Sequence, residues 1–220
     1  MKKFFAVGMM LLLPLMLVGC GRSDFNLKNY MSEITTVYFQ GQGQGVNASL
    51  SVGQREIDYK VDGKHGPTCD FSLIEIKFDN VREEEVLQVE IIINGQSQNF
   101  SLELNPVNHV YMGDLGYAVK GDDSIVIVVD GQRIELTNIT GDFVVNADEA
   151  LEMARIALID QIAACYNEGR FCGEGYLKLL HEEGGSFSQL FWSFRLVCEQ
   201  GVKYDVVINA QTGELVGVNL

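Results

Sequence analysis

The sequence predicts a mainly β protein in which the last part of the chain adds one helix to an antiparallel sheet. Two hairpin signals support the β assignment, because alternating apolar runs flank Asn94-Gly95 and Asp130-Gly131. Asn-Gly and Asp-Gly dipeptides readily adopt the positive φ angles of a two-residue hairpin turn. The helix is indicated by apolar residues at three- and four-residue intervals between residues 147 and 165. The predicted class is therefore mainly β with an α+β segment.

Residues 31–142 predict a β-sandwich domain with an immunoglobulin-like topology. The segment contains short runs of alternating side chains, including 48–52, 71–78, 86–93 and 96–104, and no convincing helix. Many short strands joined by tight turns are typical of two packed antiparallel sheets. The Cys…Trp…Cys pattern of antibody domains is missing, so this topology rests on the strand pattern alone.

Residues 143–220 predict a second, smaller domain in which one helix lies on an antiparallel sheet. Asn146 is the expected N-cap, and the acidic side chains of Asp148 and Glu149 in the first turn suit the positive end of the helix dipole. The helix presents one apolar stripe, formed by Leu151, Ala154, Leu158, Ile162 and Cys165. Turn signals divide the remainder into predicted strands at 176–182, 189–199, 203–209 and 214–219.

Three sequence features of this second domain resemble the PepSY domain family. They are the strand Phe191-Trp192-Ser193-Phe194-Arg195, the strand 203–210 that ends in Asn209-Ala210, and the turn Thr212-Gly213-Glu214. The resemblance covers the last third of the chain. Asn209 stands where the family usually has Asp, and the cysteines are additional. The resemblance implies a small helix-on-sheet fold without catalytic activity that binds or regulates peptidases and other secreted proteins.

The first twenty residues resemble the signal peptide of bacterial lipoproteins. Met1-Lys2-Lys3 gives a positive start, residues 4–18 are apolar, and Leu17-Val18-Gly19-Cys20 matches the lipobox. The apolar run is shorter than the ~20 residues that span a bilayer, and Pro14 interrupts it. The resemblance implies cleavage after residue 19 and a diacylglycerol on Cys20, which would anchor the chain on the outer face of a bacterial cell membrane. Residues 20–30 are then a lipidated tether.

The chain is strongly acidic, with 30 acidic and 16 basic residues and a net charge of −14. Removal of residues 1–19 would take away Lys2 and Lys3, leaving 14 basic against 30 acidic residues and a net charge of −16. Such a surface repels nucleic acid and anionic lipid headgroups, so we expect no nucleic-acid partner. Charged partners should be metal ions, basic peptides or basic protein surfaces, unless the charge serves solubility alone.

Four cysteines besides Cys20 permit two disulfides in an exported chain. They are Cys69, Cys165, Cys172 and Cys198. One interpretation is a disulfide between Cys165 and Cys172, since the loop between them is short. The other interpretation is that Cys165 and Cys198 are buried core residues on facing elements. The spacing disfavours a zinc site, because structural zinc ligands usually come in closely spaced pairs.

No catalytic, cofactor-binding or metal-ligating set is predicted. The three histidines, His65, His109 and His181, are dispersed, and no nucleophile motif, phosphate loop or calcium loop is present. Strand alternation places Trp192 and Phe194 in the core, and Phe191 and Arg195 on the opposite face. Because aromatic and Arg residues are favoured at interfaces, Phe191 and Arg195 are a candidate interaction surface.

These observations lead to one main functional hypothesis. The chain is expected to be a non-enzymatic, membrane-anchored extracytoplasmic lipoprotein that binds or regulates a protein or peptide partner, for which a peptidase is one candidate. The alternative is a small-ligand or metal-binding accessory lipoprotein of a transport system. Apart from the lipid on Cys20, no cofactor is expected.

Overall fold

The computed structural model describes residues 25–58, 60–143, 145–181 and 190–219. The predicted signal peptide and Cys20 therefore lie outside the described residues. None of the helices in the described part of the chain has the length and the apolar character needed to span a membrane.

Eight strands close into an antiparallel β-barrel in the first two thirds of the chain. They are β1 (Met31–Gly43), β2 (Val46–Glu56), β3 (Thr68–Phe78), β4 (Val86–Ile93), β5 (Gln96–Asn105), β6 (Val110–Asp114), β7 (Ile125–Val129) and β8 (Gln132–Asn138). Their spatial order is β1-β2-β3-β6-β5-β4-β7-β8. Backbone pairing of β1 with β8, at Phe39–Asn138 and Gln40–Thr137, closes the sheet.

The barrel interior is filled by alternate side chains of these strands, as a half-buried strand pattern requires. Most of them are aliphatic and nearly inaccessible to solvent, including Leu50, Ile74, Ile76, Ile91, Leu102, Ile127 and Ile134. Both predicted hairpins are confirmed. Asn94 and Asp130 have φ angles of 51° and 50°, and the φ angles of the glycines that follow them are also positive.

The predicted immunoglobulin-like sandwich is wrong, because the first and last strands of this segment meet and form one closed barrel. Glycine allows the close approach of these strands. A Cβ atom on Gly41 would overlap the carbonyl oxygen of Glu135, and one on Gly43 would lie 2.9 Å from the side chain of Gln132. Closure leaves the barrel without an open edge between β1 and β8.

The last third of the chain forms a helix-on-sheet unit, as predicted in outline. Helices α1 (Ala147–Ala157) and α2 (Ile159–Ala164) are followed by a short hairpin of β9 (Tyr166–Asn167) and β10 (Arg170–Phe171). The antiparallel strands then are β11 (Gly173–His181), β12 (Leu190–Cys198), β13 (Lys203–Asn209) and β14 (Leu215–Asn219). The predicted cap is confirmed, since Asn146 and Glu149 form a reciprocal capping box at the start of α1.

A second hydrophobic core lies between these helices and one face of the sheet. Trp192 and Phe194 are fully buried in it, which confirms their predicted role, and the Trp192 indole N–H donates to the carbonyl oxygen of Val145 at 2.8 Å. Met31, Ile34 and Tyr38 of β1 also belong to this core. Strand β1 therefore contributes to both cores, while the predicted domain boundary after residue 142 stays a prediction.

Candidate binding site

A cavity opens where β1 passes from the helix-on-sheet unit into the barrel, within one continuous twelve-stranded sheet. The first half of β1 pairs in parallel with β11 as far as Ile34–Leu177, and its second half pairs with β8 from Phe39 onward. Between these points the register of β1 against β2 shifts, between Thr35 and Val37. The cavity, which we call the fork cavity, has a volume of about 770 Å³. Small-molecule sites typically measure about 300–1,000 Å³.

Strand alternation places the fork cavity on the outer face of the barrel. Leu50, Val52, Ile74 and Ile76 of β2 and β3 point into the barrel core. The residues between them therefore face outward, and these line the cavity as Ser51, Leu73, Glu75 and Lys77. Strand β11 supplies the opposite wall with Lys178, Leu179 and Leu180, and the turn before β6 supplies Val107, Asn108 and His109.

An ion pair joins the two walls of the fork cavity. The Lys178 ammonium lies 2.8 Å from the Glu33 carboxylate, and the Glu33 residue is only 8% exposed. Removing a carboxylate from water is costly unless a cation compensates for it. Lys178 therefore neutralises Glu33 and links β11 to β1.

A second carboxyl group, that of Glu75, lies in a different electrostatic environment. Burial raises the pKa of Glu75 above its ordinary value, and a hydrogen bond with Ser49 and the charge of Lys178 offset this only in part. Burial also raises the pKa of the nearby Tyr38 hydroxyl, which Ser49 hydrogen-bonds as well. Among the described residues, Glu75 takes part in none of the ion pairs. Lys178, whose ammonium group pairs with Glu33, therefore compensates the negative charge of Glu75 only in part.

The predicted interaction residues lie on the strand next to the fork cavity. A smaller cavity of about 260 Å³ shares Lys178 and Leu180 with it and extends to Ser193 and Arg195 of β12. The Arg195 guanidinium is 2.6 Å from the Asp205 carboxylate. Phe191 is half-buried on the same strand and lines neither cavity. The role of Phe191 and Arg195 as an interaction surface stays a prediction.

The predicted Cys165–Cys172 disulfide is wrong, because Cys165 is bonded to Cys198, with Cα atoms 5.4 Å apart. Cys165 ends the helical segment inside the second core, directly over β12. Phe171 belongs to that core, whereas Cys172 lies between β10 and β11 and is partly exposed. Cys172 keeps a free thiol, although its amide N–H donates to the Cys165 carbonyl oxygen at 2.9 Å.

Sequence reasoning missed a buried polar cluster at the start of β1, next to Glu33. The Ser32 hydroxyl oxygen lies 2.8 Å from a Glu56 carboxylate oxygen and 2.6 Å from one of Glu174. The same carboxylates accept the amide N–H groups of Gly66 and Gly63 in the loop between β2 and β3. The cluster therefore holds this loop against β11.

The histidines do not converge in the described structure. His65 lies 3.7 Å from the Glu56 carboxylate, His109 lines the fork cavity with a φ angle of 54°, and the side chain of His181 lies outside the described residues. No group of three or more His, Cys, Asp or Glu side chains that could hold a metal ion occurs in the part of the chain that the structure describes.

Sequence reasoning also missed the fork cavity itself. Glu75 and Lys178 alternate with apolar residues along their strands, which is the ordinary pattern of a solvated strand face. The pairing of β1 with β11 on one side and with β2 on the other brings Glu33, Glu75 and Lys178 together. No family model, no curated protein and no solved structure matches this chain.

Proposed function

We propose that this chain is a non-enzymatic, membrane-anchored lipoprotein on the outer face of a bacterial cell membrane, where it binds an extended segment of a protein or peptide partner. The observation that carries the proposal is the fork cavity. It combines a volume of about 770 Å³ with apolar side chains and with charged groups of both signs. Binding sites usually combine apolar walls with a few polar groups that orient the ligand.

The proposed membrane anchor is supported by the sequence before the folded part. Phe25 stacks on Tyr30 with ring centroids 5.5 Å apart and contacts Phe171 at 4.9 Å. Five positions separate Cys20 from Phe25, so a lipid on Cys20 would hold the helix-on-sheet unit within about 18 Å of the bilayer surface. Intact-mass measurement of the membrane-extracted protein tests this. Cys20→Ser should release the protein into the soluble fraction.

A peptide partner is further supported by the PepSY resemblance, which we retain as part of the proposal. Helices α1 and α2, strand β12 with Trp192, strand β13 ending at Asn209 and a tight turn occur in the order of the family pattern, with β9, β10 and β11 inserted between the helices and β12. The Asn209 side chain accepts the amide N–H of Thr212 at 2.9 Å, and Gly213 has a φ angle of 72°. The family is associated with binding and regulating peptidases.

Photo-cross-linking from the fork cavity tests the binding proposal. A photoreactive residue at Leu180, which is 47% exposed, should cross-link a partner in envelope extracts. The matched control is Ile156 on the outer face of α1, which is 58% exposed and lies away from the cavity. Equal cross-linking from both positions, or cross-linking from Ile156 alone, would contradict the assignment of the fork cavity as the site.

The volume of the cavity also supports the alternative function, an accessory lipoprotein that binds a small ligand for transport. A small ligand would remain bound to the protein after gentle extraction from membranes. Mass spectrometry of the extracted protein under non-denaturing conditions would detect it. A bound small molecule that blocks cross-linking from Leu180 would favour this alternative over a peptide partner.

A further inference from the structure

We propose that the fork cavity recognises a lysine or arginine side chain of an extended peptide, with Glu75 as the carboxylate that receives its positive charge. This inference rests on the proposed function and specifies the chemistry of the ligand. It follows from the distribution of charge in the cavity, from the groups around Glu75 and from the apolar residues beside it.

The charges of the fork cavity are not all paired. Glu33 and Lys178 compensate each other across the cavity at 2.8 Å. The remaining ionisable side chains are those of Glu75 and Lys77 on β3, with His109 in the turn before β6. Lys77 pairs with Val110 and so lies toward that turn, whereas Glu75 pairs with Ser49 and Met112 in the middle of the floor. The middle of the cavity therefore offers one carboxyl group to a ligand.

The surroundings of Glu75 favour a cation over an anion. Tyr38 and Ser49 are each 3% exposed, and their hydroxyl groups are the neutral polar partners beside the carboxyl group. The one cation that acts on Glu75, Lys178, is already paired with Glu33. A half-buried carboxylate in this position gains from a second, closer cation. An anionic ligand at the same place would add a second uncompensated negative charge. Its carboxylate would instead have to reach Lys77.

The side chains beside Glu75 suit the aliphatic part of lysine or arginine. Leu73 precedes it on the same face of β3, Met112 is its partner on β6, and Leu180 stands on the opposite wall. Long basic side chains commonly lay their methylene groups along apolar residues while the charged end reaches a polar group. The net charge of −14 adds a long-range attraction for basic peptides.

Peptide binding to the full lipidated chain in detergent tests this inference. Three probes are compared: Ala-Leu-Lys-Leu-Ala, the same peptide with acetylated lysine, and the same peptide with glutamate in place of lysine. We expect binding of the lysine peptide only. Glu75→Gln should weaken that binding at least about thirtyfold, since removal of one partner from a desolvated charge pair is costly. Glu103→Gln, which removes an exposed carboxylate from β5, should leave it unchanged.

Each outcome bears on the inference. Equal affinity for the three peptides would overturn cation recognition while leaving peptide binding intact. An unchanged affinity of the Glu75→Gln variant for the lysine peptide would overturn the role of Glu75. Failure of all three peptides to bind would also overturn it, while cross-linking from Leu180 tests the proposed function separately. If Glu75→Gln does not fold, Glu75→Asp takes its place. That variant keeps the charge on a shorter side chain and should retain part of the preference for lysine over acetylated lysine.

Discussion

The barrel and the helix-on-sheet unit reach stability in different ways. In the barrel, β1 and β8 pair with each other, so the sheet has no free edge at that seam and its core is mostly aliphatic. The helix-on-sheet unit ends in β14, on which Leu215, Val216 and Val218 are 40–55% exposed. It contains the Cys165–Cys198 disulfide and a capped helix. Closure of the backbone stabilises one region, and specific side-chain links stabilise the other.

Strand β1 joins the barrel to the helix-on-sheet unit and positions the fork cavity between them. Its hydrogen bonds are shared among β2, β8 and β11, and its side chains enter both cores. A strand that must satisfy two sheets has to change partners along its length. The shift in register between Thr35 and Val37 lies in that transition, next to Tyr38. The fork cavity therefore arises where the barrel and the helix-on-sheet unit join.

Trp192→Ala should have the largest effect on stability, a loss of about 3–5 kcal/mol. The substitution removes a fully buried ring and leaves the carbonyl oxygen of Val145 without its indole donor. Chemical unfolding followed by circular dichroism measures the loss. Ile127→Ala in the barrel core is the comparison, with an expected loss of about 2–5 kcal/mol. A cost below 1 kcal/mol for the tryptophan substitution would contradict the account.

Loss of the disulfide should have the next largest effect. The bond spans 33 residues, so Cys165→Ala with Cys198→Ala should lower the free energy of unfolding by about 3–4 kcal/mol, mainly through the freer unfolded chain. Cys172→Ala is the control and should change stability little, since its thiol is free. If the Cys172 variant were the one that lost a disulfide by mass spectrometry, the assigned pairing would be incorrect.

Asn146→Ala should lower stability by about 1 kcal/mol. The change removes the side-chain oxygen that accepts the amide N–H of Glu149 at the start of α1. Asn167→Ala in the exposed β9–β10 hairpin is the matched control, with an effect within ±0.5 kcal/mol. Thermal unfolding of the three proteins provides the comparison. Equal effects of the two substitutions would show that the cap contributes nothing specific.

Glu75→Gln should have the smallest effect on stability, and the variant should be the more stable protein. Burial raises the pKa of the Glu75 carboxyl group in the folded protein above its value in the unfolded chain. The contribution of this group to stability is therefore fully present below the pKa of the unfolded chain, and it is lost as the pH rises through the pKa of the folded protein. Glutamine does not ionise. The variant should therefore gain stability relative to the native chain between mildly acidic and neutral pH. Urea unfolding of both proteins at the two pH values measures this, and a difference that does not change with pH would contradict it.

Much of the local structure could be predicted from the sequence. The Asn94-Gly95 and Asp130-Gly131 turns, the Asn146 cap and the buried face with Trp192 depend on residues close in the chain. Closure of the barrel depends on whether β1 meets β8, and the strand pattern is the same in a sandwich and a barrel. The disulfide partner of Cys165 likewise depends on which strand lies beneath the helix.

The candidate site could not be predicted for a related reason. Glu33, Glu75 and Lys178 lie on three strands that are far apart in sequence, and each looks like an ordinary outward-facing residue. Their proximity depends on the parallel pairing of β1 with β11, for which the sequence carries no local signal. The predicted surface of Phe191 and Arg195 came from alternation within one strand and stays a prediction; Arg195 lines the smaller cavity beside the fork cavity.

Hydrogen–deuterium exchange with and without a bound partner or lysine peptide tests most directly whether the fork cavity is the binding site. We predict slower exchange in the three segments that line it, 33–38, 73–77 and 107–112, and in β11 around Leu180. The hairpins at Asn94-Gly95 and Asp130-Gly131 should not change. Protection of those hairpins or of β14, with unchanged exchange around the cavity, would contradict the account.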